Sequence, residues 1–389
     1  MFHSPSAARA DRRLSLCTGG IEMKLLLVGN YPADDIKSMQ AYAQMLLKGC
    51  RDAGVEVELT APKSVLLSRS KEPVGVSKWV AYVDKFIIFP LSLSRQAKRF
   101  DRTHICDHSN GMYLFWLPSK TTSITCHDVI AIRAARGLIG GWRTSPTGKV
   151  FQALILRGIA RARKIICVSD FTRSDLIGLR PDLSERTTVI RQALNSEFAR
   201  DPAWRDVLDS YGLGSLQGKN YFLHVGSDHP RKNRAAVVRI FGELLKTPAF
   251  ADAHLMFVGP PPNPEMTEIM IQGALLSRVH SFQNAPMELL NALYSGSQGF
   301  IFTSRNEGFG WPVIEAQACG CPVFASDVGP MQEVGGTAAQ YIDPDDTVRA
   351  AQAIASADFE GMRQAGLENV ARYNLDRMIR ELITTVEQD

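Results

Sequence analysis

The chain has 389 residues, of which 45% are hydrophobic and 22% charged. This length exceeds what one hydrophobic core usually organises, so we expect two domains in a soluble globular protein, and no apolar run is long enough to span a bilayer. The net charge of +4 hides an asymmetry, because residues 23–200 carry 27 Lys and Arg against 15 Asp and Glu, whereas residues 201–389 carry 14 against 23. The first half should therefore meet an anionic partner, such as a lipid phosphate, a membrane surface or nucleic acid.

Residues 1–22 precede the first predicted strand. They contain three arginines but lack the apolar stretch of a secretory signal. Because Met23 directly precedes a strand-like run, we interpret residues 1–22 as a disordered leader or a misassigned start. Mass spectrometry of the natively expressed chain would decide between the two.

The seven cysteines follow no disulfide spacing. Cys319 and Cys321 have no second Cys or His pair at a zinc-like distance, so a buried turn is favoured over a metal site. We therefore expect reduced thiols in a cytoplasmic protein.

The first half alternates strand-like and helical patterns. A short apolar strand breaks at Gly29 and is followed by a helical pattern over residues 38–53. The predicted strands are Lys24–Val28, 55–59, 86–89, 104–107, 122–125 and 164–168. Alternation of this kind predicts an α/β domain with a mostly parallel sheet, over residues 23–200.

A second series of the same kind follows a polar stretch near residues 196–218. Its predicted strands are Tyr221–Val225, His254–Val258, Gly299–Phe302 and 322–325. We assign residues 201–372 to a second Rossmann-like domain. A last helix, Leu375–Glu387, is long enough to reach back across the boundary, so residues 373–389 are expected to pack toward the first domain.

Residues 305–334, reading RNEGFGWPVIEAQACGCPVFASDVGPMQEV, are the most specific segment. Glu307 and Glu315 stand eight residues apart, Gly308 and Gly310 allow close backbone approach, and Pro312 suits the first turn of a helix. Such a helix start directs free N–H groups at an anion. For an isolated pair of glutamates, ordinary solvated or helix-start carboxylates would be the better interpretation.

This segment resembles glycosyltransferase family 4, the retaining transferases of GT-B fold, in which two Rossmann-like domains face each other across a cleft. The segments VGSDHPRKN, LLNALYSGSQGFIFTS and CVSDFTRSDL resemble the family as well. The resemblance implies that Glu315 binds the ribose of a nucleotide-sugar donor. It also implies that Glu307, Gly308, Phe309 and Gly310 hold the hydroxyls of the donor sugar.

A second donor-binding segment, VGSDHPRKN, follows the first strand of the second domain. Gly226 ends that strand, and Arg231 and Lys232 can neutralise a diphosphate. The resemblance implies the same role for both cations. Many family members carry an Arg directly after the glycine, whereas this chain has Ser227, which can donate one uncharged hydrogen bond. Without the resemblance, two exposed basic residues at a helix start would be the better interpretation.

The predicted first domain supplies further candidates at its strand ends. His127 follows a strand at the edge where ligands of parallel sheets bind, and the resemblance implies that it contacts the transferred sugar. A structural role is otherwise more common for a lone histidine, and Asp128 beside it is expected to cap a helix. Four further residues are candidates for the acceptor side, namely Asn30, Ser38, Asp107 and His108, although Asp107 and His108 could equally form a satisfied loop pair.

Residues 129–169 hold eight basic residues and no acidic one, interleaved with apolar side chains. A solvated basic helix would explain this pattern. It also suits peripheral attachment to anionic lipid, or contact with an acceptor phosphate. The basic residues are Arg133, Arg136, Arg143, Lys149, Arg157, Arg161, Arg163 and Lys164.

Together these features predict an enzyme that moves a hexose from a GDP- or UDP-linked donor to a glycan or lipid-linked acceptor in polysaccharide biosynthesis. His127, Glu307 and Lys232 are the predicted catalytic residues, and mannose from GDP-mannose is favoured by the resemblance. No cofactor and no metal are expected, because we find no Asp-x-Asp near a strand end of the kind that metal-dependent transferases use. A non-catalytic nucleotide-sugar-binding protein is the alternative. Nucleic-acid binding is disfavoured, since no recognition module is visible.

Overall fold

The computed structural model describes residues 23–34, 36–63, 83–216 and 218–388. The first of its two sheets has the strand order β2-β1-β3-β4-β5-β6, and every pair of neighbours is parallel. Its strands are Lys24–Val28 (β1), Glu56–Thr60 (β2), Arg102–Ile105 (β3), Thr122–Cys126 (β4), Lys164–Cys167 (β5) and Thr187–Val189 (β6).

The second sheet has the order β12-β11-β10-β7-β8-β9 and is also parallel throughout. Its strands are Tyr221–Val225 (β7), His254–Val258 (β8), Val279–Phe282 (β9), Gly299–Phe302 (β10), Val323–Ser326 (β11) and Ala339–Ile342 (β12). In each sheet the strand order reverses beside the first strand, between β1 and β3 and between β7 and β10. Ligands of open α/β sheets bind at such reversal points, beyond the carboxyl ends of the strands.

Helices connect the strands of both sheets. Those of the first half are Lys37–Asp52 (α1), Phe89–Ala97 (α2), Ile130–Ala135 (α3), Pro146–Ile159 (α4) and Asp170–Leu179 (α5). Those of the second half are Trp204–Ser210 (α6), Arg234–Leu244 (α7), Pro264–Gln272 (α8), Met287–Gly296 (α9), Trp311–Ala318 (α10), Met331–Gly335 (α11), Thr347–Ala355 (α12), Phe359–Val370 (α13) and Leu375–Glu387 (α14). A π-helix, Asp84–Ile88, runs directly into α2, and short 3₁₀ helices include His108–Phe115 and Pro230–Lys232.

Helix α14 returns to the first domain, as predicted. Its residues Met378, Ile379 and Leu382 are buried in a cluster that also contains Leu46 of α1. The two helices approach so closely that a Cβ on Gly49 would lie 2.5 Å from Ile379 Cγ1. Glycine is therefore required at this crossing, which fixes the chain end on the domain where the chain began.

The predicted strand over residues 86–89 is wrong. This run lies in the π-helix and the start of α2. Phe86 and Phe89 both pack against the ring of Tyr113, whereas Ile87 is 55% exposed. A short apolar run does not by itself distinguish a strand from a buried helix, and here the helical spacing of the two phenylalanines decided the outcome.

Among the described strands, three were not predicted from the sequence, and all three lie at the edges of their sheets. They are β6 in the first sheet and β9 and β12 in the second. Strand β9 has no fully buried residue, so it lacks the apolar run that marked the central strands. An edge strand is covered less by neighbours, and its sequence is therefore less constrained.

Some predictions concern features outside the two sheets. The leader 1–22 and Cys17 lie outside the described residues. The six described cysteines are buried free thiols. Within the described ranges, no helix combines the length and the apolarity needed to cross a membrane.

Candidate active site

A cavity of about 610 Å³ opens between the carboxyl ends of the two sheets. From the first domain, Ser38 and His127 line it. From the second domain, the lining includes all the predicted donor-binding residues, namely Gly226, Ser227, Arg231, Lys232, Glu307, Gly308, Phe309, Gly310 and Glu315. The loops after β7 and β10 thus meet at the strand-order reversal, where the fold brings distant parts of the chain together.

The loop after β10 is shaped by its glycines. Gly310 has a φ of 101° and precedes α10, and Pro312 occupies the first turn of that helix. A Cβ on Gly308 would lie 1.7 Å from the backbone oxygen of His127. Only glycine permits this contact, so the loop presses against the first domain beside the residue predicted to contact the sugar.

Glu307 is the centre of a buried charge cluster. Its Oε1 accepts hydrogen bonds from Lys232 Nζ at 2.6 Å and from Ser304 Oγ at 2.5 Å. Its Oε2 lies 2.7 Å from Arg231 Nη1. Burial alone would raise the pKa of Glu307, but the charges of Lys232 and Arg231 and these hydrogen bonds bring it below its ordinary value. One carboxylate is therefore shared by two cations, which leaves a surplus of positive charge at the cavity wall.

Lys232 reaches this cluster from a strained segment. It lies in the 3₁₀ helix Pro230–Lys232, and the next residue, Asn233, has a φ of 48° at the start of α7. The side chain of Lys232 is almost fully buried, and burial lowers its pKa while the Glu307 carboxylate opposes that effect. Its ammonium also lies 5.0 Å from the ring centroid of Phe302. These contacts fix the position of the ammonium.

Glu315 is in a different environment, although it lies in the same segment. It lies one turn into α10, is 6% exposed, and accepts a hydrogen bond from Tyr294 Oη at 3.2 Å. Burial raises the pKa of Glu315 to about 7. The carboxyl is thus poised between its neutral and charged forms and is suited to accept hydrogen bonds from hydroxyl groups.

His127 faces the cavity from the end of β4. Its Nε2 lies 2.9 Å from the carbonyl oxygen of Cys106, which can only accept, so Nε2 carries the proton. The ring packs edge-on against Tyr42, at 4.7 Å between centroids. Burial lowers the pKa of His127, and the imidazole is therefore neutral at pH 7. The adjacent Asp128 was predicted to cap a helix, but the N-cap of α3 is Val129; Asp128 precedes it and accepts from the backbone N–H of Ile130 at 2.9 Å.

Three of the four predicted acceptor-side residues form a network of their own. Asp107 accepts from Asn30 Nδ2 and from Ser109 N at 2.9 Å, and it lies 3.2 Å from His108 Nδ1. Burial would raise the pKa of Asp107, but His108 and Asn30 hold it well below its usual range. None of the three lines the cavity that Ser38 lines. Their role toward an acceptor stays a prediction.

A hydrogen-bonded contact between the domains, formed by Ser169, Thr172 and Gly308 and called the clasp below, was not predicted from the sequence. Ser169 Oγ and Thr172 Oγ1, at the start of α5, donate to the carbonyl oxygen of Gly308 at 2.7 and 3.0 Å. The Glu333 carboxylate accepts from Asp170 N at 2.8 Å at the same helix start. Ser169 before a helical pattern was a detectable N-cap signal, and its side chain accepts from Thr172 N at 3.0 Å, but nothing in the sequence indicated that Gly308 would accept from the two hydroxyls.

Metal binding was predicted to be absent. Among the described residues, no group of three or more His, Cys, Asp and Glu side chains is arranged to hold an ion. Metal independence of the reaction stays a prediction.

Residues 39–198 match the family described as Glycosyltransferase Family 4, and residues 212–357 match Glycosyl transferases group 1. The O-antigen chain mannosyltransferase B of Escherichia coli is 32% identical over 48% of this chain and 49% of its own length. The O-antigen chain mannosyltransferase RfbU of Salmonella typhimurium is 27% identical over 59% of this chain and 60% of its own. The chain thus spans about half to three fifths of these relatives.

Solved structures share the fold at low identity. Sucrose-phosphate synthase from Thermosynechococcus elongatus has a TM-score of 0.69 at 18% identity and covers 93% of this chain and 98% of its own. HepE from Anabaena, in complex with UDP and glucose, has a TM-score of 0.70 at 13% identity and covers 95% and 100%. With two facing parallel sheets and two matching domains that together span most of its length, the chain belongs to family 4 of the glycosyltransferases and has the GT-B fold.

Proposed function

We propose that the protein transfers a hexose, with mannose favoured, from a nucleoside diphosphate sugar to a glycan or lipid-linked acceptor in polysaccharide biosynthesis. The observation that carries this proposal is the convergence of Arg231 and Lys232, from the loop after β7, with Glu307 and Glu315, from the segment after β10, on one cavity. These loops are separated by more than 70 residues in sequence.

Transfer breaks the bond between C1 of the sugar and the diphosphate oxygen, forms a bond between C1 and the oxygen of an acceptor hydroxyl, and releases the proton of that hydroxyl to the leaving diphosphate or to water. Negative charge grows on the leaving diphosphate, so preorganised cations accelerate the reaction. Lys232 and Arg231 serve this role, because Glu307 and the surrounding packing hold them in position before the donor arrives. Removing one such group typically costs about 100- to 1000-fold in rate.

The remaining residues orient the two ends of the donor. Glu315 accepts hydrogen bonds from the ribose, and Glu307 with the amides of the Gly308–Gly310 loop holds the sugar. His127 contacts the sugar from the first domain as a neutral imidazole whose orientation the Cys106 carbonyl sets. Retention of anomeric configuration is part of the proposal and is supported by family membership.

The donor favoured is GDP-mannose, since the O-antigen relatives are named mannosyltransferases. A UDP-linked hexose is the other candidate. A panel of GDP-, UDP-, ADP- and dTDP-sugars tests both the reaction and the base. We expect release of GDP from GDP-mannose with and without EDTA, because no metal takes part. Loss of activity with EDTA that Mg²⁺ or Mn²⁺ restores would refute metal independence.

The alternative is a protein that binds a nucleotide-sugar without turning it over. The complete set of Arg231, Lys232, Glu307 and Glu315 around one cavity favours an enzyme. Titration and turnover with the same donor separate the two functions. Tight donor binding with no nucleotide release and no transfer to any acceptor would support the alternative.

Part of the first domain is suited to peripheral contact with an anionic membrane at the inner face. The π-helix and α2, the helix His108–Phe115, and α4 pack together through ring contacts of Phe86 with Tyr113 and Phe151. These segments and their ends expose the apolar side chains of Ile87, Leu91, Phe115, Trp116 and Val150. Arg161 lies 5.7 Å from the ring of Phe115. Basic residues near an anionic surface contribute about 1 kcal/mol each.

Liposome flotation tests this surface. We expect the protein to float with anionic vesicles and to remain behind with neutral ones, and Trp116→Glu should abolish flotation. Ile271→Glu is the matched control, since Ile271 is also exposed but lies in the second domain. Equal behaviour with both kinds of vesicle would refute membrane contact and leave the transferase proposal standing.

A further inference from the structure

A second cavity, of about 400 Å³, lies beside the donor cavity. Its wall is built from residues 139–143 of the first domain and from two loops of the second domain, residues 229–231 and 305–306. Arg231 lines both cavities. A ligand in the second cavity would therefore lie next to the diphosphate of a bound donor.

The first-domain part of this wall is a glycine-rich loop between α3 and α4. Gly141 has a φ of 74°, a conformation that other residues rarely adopt, and it precedes Trp142. The Trp142 ring lies 4.8 Å from the ring of His229, centroid to centroid. This contact joins the two domains, so the second cavity is complete only when the domains are together.

The cavity is lined by cations. Arg143, Arg231 and Arg305 contribute to its wall, and no carboxylate among the described residues does. Arg143 is exposed, and Arg305 pairs with an exposed Asp345 at 2.8 Å. Such an exposed pair is worth about 1 kcal/mol or less, so an anionic ligand can compete for Arg305. Burial, Arg231 and Lys232 lower the pKa of His229, which indicates positive potential at this wall.

Trp142 adds a different kind of surface. Its side chain is half-buried, and its indole presents a broad apolar body with a single N–H donor. A tryptophan beside cations and an amide side chain, here Asn306, offers stacking and hydrogen bonding together. A volume of 400 Å³ is within the range of small-molecule sites.

The network of Asn30, Asp107 and His108 does not offer such a surface. Its polar atoms are largely paired with one another, and the Asp107 carboxylate is already paired with His108, whose pKa it raises. A negatively charged acceptor group would have to compete there with Asp107 for His108, whereas the wall around Arg143 and Arg305 has no carboxylate among the described residues.

We propose that the Trp142 cavity binds the acceptor through a sugar that carries a phosphate or diphosphate, with the sugar against Trp142 and the phosphates on Arg143 and Arg305. This inference rests on the proposed function and names its acceptor class, a saccharide with an anionic reducing end. A lipid-linked saccharide and a free sugar phosphate share this chemistry, and the experiment separates them.

Calorimetry in the presence of saturating GDP, or UDP if that binds more tightly, tests the cavity while the donor site is occupied. The probes are a disaccharide linked to a soluble alkyl diphosphate, the neutral alkyl glycoside of the same disaccharide, and the disaccharide 1-phosphate. We expect the diphosphate compound to bind about tenfold or more tightly than the glycoside. Binding of the 1-phosphate as tightly as the alkyl diphosphate would indicate a free sugar phosphate as the ligand.

Variants then locate the site. Arg143→Gln and Arg305→Gln should each remove most of the preference for the diphosphate compound. Trp142→Ala should weaken binding of diphosphate compound and glycoside alike. Arg51→Gln and Arg239→Gln are the controls, because both arginines are exposed and lie away from this cavity. Equal binding of diphosphate compound and glycoside, or a preference that survives both cavity substitutions, would overturn the inference.

The same compounds separate this inference from the proposed function. Hexose transfer that occurs without any preference for the diphosphate compound would overturn the cavity assignment and leave the transferase intact. Binding that depends on Arg143 and Arg305 without transfer to any acceptor would support the cavity and overturn the transferase.

Discussion

Glu307 and Glu315 lie in one segment and are about equally buried, at 8% and 6% exposure, yet the region around each shifts its pKa in the opposite direction. The loop region around Glu307 receives Lys232 and Arg231 from the loop after β7. The helical region around Glu315 offers a tyrosine hydroxyl instead. Cations from the loop after β7, and not depth of burial, therefore decide which carboxyl is charged at neutral pH.

The largest loss of activity is expected when the ammonium of Lys232 is removed from Glu307. Lys232→Ala should lower kcat by about 100-fold or more, with a smaller change in the KM for donor, because the ammonium acts mainly on charge that develops during transfer. Steady-state kinetics with the preferred donor measures this. Lys246→Ala is the control, since Lys246 pairs with Glu243 at the surface. A kcat within twofold of wild type would remove Lys232 from the mechanism.

Glu315→Ala tests the other region. We expect donor affinity to fall about 10- to 100-fold, because a hydrogen bond to a charged group contributes roughly 1.5–3 kcal/mol. Calorimetry with the nucleotide-sugar measures this loss, and Glu265→Ala, which removes an exposed carboxylate paired with Arg239, is the control. Unchanged affinity would refute ribose binding by Glu315.

Because the pKa of Glu315 is raised, both the stability of the protein and its affinity for the donor should depend on pH. The folded pKa is about 7 against an ordinary 4.5, so the folded chain keeps a proton that the unfolded chain releases. The resulting stabilisation is fully present below pH 4.5 and is lost as pH rises through 7, by roughly 3 kcal/mol at most, at 1.36 kcal/mol for each pKa unit. The thermal unfolding midpoint of wild type, measured relative to that of Glu315→Gln at the same pH, should therefore fall between pH 4.5 and pH 7.

Donor binding should respond in the opposite sense. The ionised carboxylate accepts both ribose hydroxyls, so wild-type affinity relative to Glu315→Gln should rise between pH 6 and pH 8, by up to about tenfold. Donor titrations at several pH values measure the ratio of the two affinities. Other ionisable groups are the same in both proteins, so their effects cancel in this ratio. If neither the affinity ratio nor the difference in unfolding midpoint changes with pH, the pKa of Glu315 is not near 7.

The smallest expected effect concerns the clasp that holds the Glu307 loop. Thr172→Val and Ser169→Ala each remove one hydroxyl from the Gly308 carbonyl, worth about 1 kcal/mol or roughly fivefold in the kcat for transfer. Thr172→Ser should restore activity, which a purely structural role of the methyl group would not. Thr267→Val, which removes a hydroxyl bonded to Asn263 away from the cleft, is the control. Full activity of the double variant Ser169→Ala, Thr172→Val would rule out the clasp.

Much of the fold could be predicted because central parallel strands are apolar on both faces. Strands β1, β7, β8 and β10 could be predicted for that reason, whereas β4 (TSITC) is buried although three of its five residues carry hydroxyl groups. The edge strand β9 could not be predicted because its residues are partly exposed, and residues 86–89 predict a strand as readily as a helix because four consecutive apolar residues fit either periodicity. The donor-side residues could be named from the resemblance of their segments to a known family, whereas their spacing alone would have favoured ordinary carboxylates and exposed basic residues.

The two α/β domains could be predicted because they depend on local hydrophobic periodicity, and the Glu307–Glu315 segment and the Arg231–Lys232 step could be predicted because they resemble segments of a known family. Three contacts could be known only from the folded chain, namely those of Lys232 with Glu307, of Asp107 with Asn30 and His108, and of Gly308 with His127. Those outcomes depend on strand order and domain contact, which bring together residues far apart in the chain, and no local pattern records that proximity.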